Sequence, residues 1–185
     1  MYGYTRKSNK MKKLTLILTV VLLGSCLPTN LTPITTTSTV IDLGRYAGKW
    51  YEIASLPQFF SIGAKCITAE YSANPDGTIK VVNKQIGANG KPSQIEGLAT
   101  VEPNSNNTKL RVGFFGQQPS SSNYWIVEIA DDYSYAVTSD PTKTTFWILS
   151  RTPQMDEEKV QDILKRWKTK GINTALVKRT VQDCW

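Results

Sequence analysis

The chain has 185 residues and a formal net charge of +7, long enough for one domain with a substantial core plus appended segments. The charge is not a nucleic-acid footprint: Arg6, Lys7, Lys10, Lys12 and Lys13 are basic, residues 1–25 hold no acid, and from Cys26 onward 17 basic residues stand against 15 acidic ones. Histidine is absent, which removes the commonest general base, the usual partner of a Ser or Cys nucleophile, and the commonest metal ligand. The three cysteines, at 26, 66 and 184, have no zinc-like spacing. Gly113 and Gly116 flank a Phe pair with no following Lys-Ser or Lys-Thr, so there is no phosphate-cradling loop. Asp131-Asp132 and Glu157-Glu158 read as a turn and a helix start. No cofactor, metal or nucleic-acid partner is expected.

Lys12-Lys13 leads into Leu14–Leu23, a basic region and then an apolar run too short to span a bilayer, which together read as an export signal. Leu23-Gly24-Ser25-Cys26 resembles the lipobox of bacterial lipoprotein precursors. That resemblance implies cleavage before Cys26 and acylation of its thiol and new amino group, a stable anchor in a bilayer. Leu27, where Asp would retain the protein, favours the outer membrane, and Met11 is an alternative start. Residues 1–25 are thus assigned to the signal, and the Thr- and Pro-rich residues 26–40 to a tether. With Cys26 acylated, Cys66 and Cys184 remain, and an exported protein with two remaining thiols usually pairs them.

The domain assigned to residues 41–185 begins with Leu43–Glu52. Gly48 permits a close backbone approach, and Trp50 belongs in a core. A strand through Trp50 is followed by further alternating segments at 67–72, 78–85, 93–101, 109–115, 124–130, 133–138 and 144–150, separated by turn sequences such as Asn74-Pro75-Asp76-Gly77. Eight sequential strands with short connections predict an all-β, up-and-down antiparallel barrel, filled by side chains or holding one small ligand. After them Val160, Ile163, Leu164 and Trp167 form one apolar stripe at helical spacing, with acids in the first turn and bases in the last. This predicts a single α-helix packed on the outside of the barrel.

Gly48-Lys49-Trp50-Tyr51-Glu52, Asp132-Tyr133 and Trp147-Ile148-Leu149-Ser150-Arg151 together resemble the three sequence blocks of the lipocalins. Further runs, such as Lys80-Val81-Val82-Asn83 and Gln94-Ile95-Glu96-Gly97, are similar to bacterial outer-membrane lipocalins and to the apolipoprotein D branch. The positions of Cys66 and Cys184 resemble a bridge of that branch. The resemblance implies that Trp50 plugs the closed end of the barrel, with Arg151 across its ring. It also implies that Tyr71, Val81, Asn83, Val112, Phe114 and Tyr135 face inward, and alternation from Arg151 adds Trp147.

An apolar, aromatic cavity with a few polar groups suits a lipophilic ligand. Asn83 and Tyr71 are expected at a head group, with Phe114 and Trp147 on the chain. Phe59 and Phe60, in the first connection, could lid the pocket, enter lipid or pack locally. The expectation is a non-catalytic, monomeric or weakly dimeric carrier on the outer membrane, anchored through Cys26 and binding fatty acids, lysophospholipids or similar lipids. The alternatives are a scavenger of retinoids, carotenoids or tetrapyrroles, or a lipid-modifying enzyme using Glu52, Glu128 or a Tyr.

Overall fold

The computed structural model describes residues 1–3 and 33–185; the rest of the expected export signal, Cys26 and the first part of the expected tether lie outside the described residues. A one-turn helix, α1 (Leu43–Tyr46), is capped by Asp42, whose Oδ1 accepts from the Gly44 and Arg45 amides. Eight strands follow: β1 (Gly48–Ser55), β2 (Lys65–Ala73), β3 (Ile79–Ile86), β4 (Pro92–Val101), β5 (Lys109–Phe114), β6 (Tyr124–Ile129), β7 (Tyr135–Ser139) and β8 (Phe146–Ser150). Each pairs antiparallel with the next, and β1 pairs with both β2 and β8, closing the barrel. Helix α2 (Glu157–Thr169) comes next, and then a short strand absent from the sequence-based reading, β9 (Lys178–Arg179), which pairs with β1 at Ala54 and Ser55.

Strand alternation splits the apolar residues into two cores. The inner one holds Trp50, Tyr71, Val81, Ala99, Leu110, Ile126, Ala136 and Leu149. The outer one holds Ile53, Ala54, Val127, Val137, Phe146 and Ile148 beneath Val160, Ile163 and Trp167 of α2. The helix is pinned at Glu128. Its carboxylate accepts from Trp167 Nε1 at 2.8 Å, from the Tyr135 hydroxyl at 2.8 Å and from Arg166 at 2.6 Å. Burial acts to raise the Glu128 carboxyl, but these three hydrogen bonds outweigh it and hold the group below its usual range.

Part of the segment before residue 41 lies against the barrel: Ile34 is buried in the outer core, and the Thr37 amide donates to the Ile126 carbonyl. The expected bridge is present between Cys66 and Cys184, 118 positions apart.

A barrel sealed at one end

The closed end is built around Trp50, which is fully buried and donates from Nε1 to the Tyr46 carbonyl at 2.8 Å. Arg151 lies 3.7 Å from the centre of its ring. The guanidinium also donates to the carbonyls of Lys49, Arg45 and Tyr46, tying α1 to β1. Gly48 enters β1 with φ +91°, a backbone conformation that favours glycine, while a Cβ there would meet Arg151 Nη1 at an ordinary contact distance of 3.5 Å. The turn after β6 completes the seal. Asp132 accepts from the Ser134 amide, and the buried Tyr133 accepts from the Asp42 amide while Arg45 lies 4.1 Å over its ring.

Above this floor stand three tyrosines. Tyr46 and Tyr124 share a hydroxyl–hydroxyl bond of 2.7 Å, and the Tyr71 hydroxyl donates to Tyr124 at 3.0 Å. Burial pushes all three phenols well above their usual range, so they stay neutral. Tyr124 in turn stacks on Trp147, with centroids 6.4 Å apart. Tyr46 and Tyr124 escaped the sequence reading, although alternation with Ile126 points Tyr124 inward.

Register assigns the remaining wall. Val81 and Gly97 pair with each other, and Gly97 pairs with Phe114. A Cβ on Gly97 would stand 2.7 Å from Phe114 Cδ1 and Cε1, so the ring needs the glycine. Val112 pairs with Ala99, and Asn83 lies between Ala69 and Ile95 in a row that starts at Trp50. Tyr71 and Val81 are buried, whereas Asn83, Val112, Phe114 and Trp147 keep partial exposure. These six expected residues share the inner face.

Tyr135 does not. It pairs with Ser150, belongs to the outer core, bonds Glu128 and lies under Lys159 of α2. The sequence reading started β7 at Tyr133, but Tyr133 sits in the turn with φ +60°, so alternation restarts after it. Ala136 and Thr138 are the inward residues of β7, opposite Leu149 and Trp147.

Toward the open end, β1 and β2 part above Tyr51 and Thr68, and the C-terminal segment fills the gap. Gln182 Nε2 donates to the carbonyls of Glu52 at 2.9 Å and Ile67 at 2.8 Å, and the Cys66 amide donates to the Val181 carbonyl. Glu52 pairs with inward-facing Leu149 and is 6% exposed. Its Oε1 accepts from Ser55 Oγ at 2.9 Å and Thr180 Oγ1 at 2.6 Å. Burial raises its carboxyl, partly offset by those bonds. In the first connection, Phe59 and Phe60 are 89% and 56% exposed and meet edge to face; neither ring is buried in the cup.

A closed antiparallel barrel of eight strands, plugged at one end by a Trp–Arg pair and flanked by one helix, defines the class of calyx-forming barrels. A lipocalin-like domain model matches residues 41–182, and the chain belongs to the lipocalin family. It is 35% identical over 168 residues to the outer membrane lipoprotein Blc of Vibrio cholerae, covering 89% of this chain and 95% of that protein. It is 38% identical over 150 residues to temperature-induced lipocalin-1 of Arabidopsis thaliana, covering 77% and 80%. It is 40% identical over 153 residues to apolipoprotein D of Bos taurus, covering 77% and 76%. Among solved structures, apocrustacyanin C2 superposes with a TM-score of 0.61 at 21% identity, covering 77% of this chain and 81% of that one.

Proposed function

We propose that the protein is an envelope carrier that holds one lipophilic molecule in the barrel and is anchored to the outer membrane through acylated Cys26. The carrying observation is the contrast within the inner face: Trp50, Tyr71 and Val81 are sealed, while Asn83, Val112, Phe114 and Trp147 keep partial exposure. Apolar and aromatic walls with a few placed polar groups suit a lipid chain with a polar head. A similarity to proteins named outer membrane lipoproteins supports the location, as does the lipobox-like run ending at Cys26. Exposed Phe59, Phe60 and Ile62 are placed to meet lipid as a ligand enters. A catalytic reading lacks support: the chain has no histidine, and Cys66 and Cys184 are bonded to each other.

Native mass spectrometry of protein gently extracted from its own membrane tests this reading. The expected spectrum shows an acylated N-terminus and one added mass of a single-chain lipid; a visible absorption band with a pigment mass would replace the lipid by a scavenged chromophore. Failure of delipidated protein to take up any long-chain lipid at micromolar concentration overturns it.

A further inference from the structure

Resting on that reading of an anchored carrier, we infer that the barrel docks mouth-down on the anionic bilayer that holds it, with its open end against lipid and its sealed end facing away. Three observations converge. The first is the apolar rim. Phe59, Phe60 and Ile62 of the connection 56–64, and Phe115 of the connection 115–123, are exposed. Both connections lie at the open end, and neither contains a charged residue. The first is tied down on the barrel: the Ala64 amide donates to the Ser61 carbonyl at 3.0 Å, and Gln85 Nε2, near the upper end of β3, donates to the Phe60 carbonyl at 3.0 Å. Large apolar side chains held outward at one end of a barrel fit the interfacial layer of a bilayer, where they leave water without needing a protein partner.

Charge is the second observation, because it differs between the two ends. The sealed-end connections 74–78, 102–108, 130–134 and 151–156 hold Asp76, Glu102, Asp131, Asp132 and Asp156 against Arg151 alone, and that guanidinium is turned onto Trp50. The open-end connections 56–64, 87–91, 115–123 and 140–145 hold Lys91 and Lys143 against Asp140. The Asp140 carboxylate is turned into its own loop, where it accepts from the Thr142 and Thr145 amides. Anionic head groups therefore tolerate the mouth and repel the floor. Inverting the molecule would set five carboxylates against lipid phosphates.

The third is the path of the chain. Ile41 is fixed at the sealed end, its amide donating to the Asn106 carbonyl at 2.9 Å. Four residues earlier, the Thr37 amide donates to the Ile126 carbonyl. Ile126 pairs with Thr138, Thr138 with Trp147, and Trp147 with Ser55, the last residue of β1. Followed backward from Ile41 to Thr37, the chain has thus climbed the outer wall from the floor to a row just below the rim. The eight residues from Cys26 to Pro33 span at most roughly 28 Å, so an acylated Cys26 tethers the barrel by its mouth end. A lipid would then pass between leaflet and cup without crossing water.

Protein extracted from its own membrane, carrying an environment-sensitive dye on one added thiol, Ser61→Cys at the rim or Pro75→Cys at the floor, is mixed with vesicles of phosphatidylethanolamine and phosphatidylglycerol. The dye at 61 is expected to shift to shorter wavelength and to be quenched by iodide about fivefold less than without vesicles, and the dye at 75 to stay in water. Phe59→Ser with Phe60→Ser, both on exposed rings, is expected to abolish the shift at 61 with the denaturant midpoint unchanged. Protection at 75, or at neither position, overturns the inference. So does a shift at 61 that appears without vesicles as protein concentration rises, which would make the rim a contact between two copies. Lipid uptake by delipidated protein is followed separately: uptake with both dyes in water spares the carrier reading and overturns the docking, whereas protection at 61 without uptake does the reverse.

Discussion

The two faces of the same barrel wall were built to different standards. Outside, beneath α2, Phe146, Ile148, Val160, Ile163 and Trp167 are fully buried, and Glu128 has every near neighbour donating to it. Inside, the floor is equally tight at Trp50, but higher up the wall Asn83, Phe114 and Trp147 stay partly open. Adjacent residues of one strand thus serve opposite ends: the outward set holds the fold together, and the upper inward set is left unfinished.

That contrast can be broken from the outside first. Trp167→Ala should cost about 3–5 kcal/mol of stability by opening a cavity in a sealed core, read as a lower denaturant midpoint; ligand affinity of the folded fraction should be unchanged. Removing the bridge with Cys66→Ser and Cys184→Ser together should cost about 2–4 kcal/mol, and chemical denaturation of the two proteins side by side measures it. Arg151→Ala should cost about 1–3 kcal/mol through the lost ring contact and carbonyl bonds, again without changing affinity. A variant of normal stability that failed to bind would contradict a purely structural role for Arg151.

The smallest effect is the sharpest, because the Glu52 and Glu128 carboxyls are shifted in opposite directions. Glu128 is held below its ordinary range in the folded state, so its contribution is complete above the unfolded value, about 4.3, and is lost as pH falls through the folded one. Glu52 is raised, so folding retains a proton there that the unfolded chain gives up, and stability falls as pH rises from the unfolded value to the folded one. Glu128→Gln should flatten the acid limb of a stability-against-pH curve. Glu52→Gln should instead remove a decline on the rising side and leave stability at neutral pH equal or higher. Two variants bending the curve in the same direction would refute this assignment.

Much of this was legible in the residues. Eight alternating segments with short connections specify an antiparallel barrel, because period-two alternation leaves few other arrangements, and the family resemblance carried by Gly48-Lys49-Trp50 and Trp147-to-Arg151 supplied its plug. Cys66 and Cys184 were readable as partners once Cys26 was set aside. Tyr135 was placed inward by the resemblance alone; in the structure Tyr133 stands in the turn at positive φ and β7 begins at Tyr135 on the outer face, and nothing in the local sequence announces a Tyr at positive φ. Thr138, Ser55 and Thr180 were missed for a different reason. Small hydroxyl side chains carry no pattern, and their proximity arises only when β7, β8, β1 and the C-terminal segment come together.

The position of β1 has a consequence for how the molecule is made. It is the first strand, yet its edges are filled by β2 on one side and on the other by β8, with β9 taking over where β2 departs. A ribosome or a membrane channel delivers β1 early, and its second edge stays empty until Phe146 and the residues after it emerge. Until then the growing chain is an open sheet with apolar residues on both faces and hydrogen-bonding groups along a bare margin, the form most prone to join a neighbour's sheet. Barrel closure is accordingly a late event that depends on contacts between distant parts of the sequence, which makes folding slow for its size. The protein's most hazardous moment comes before it has a cup to fill.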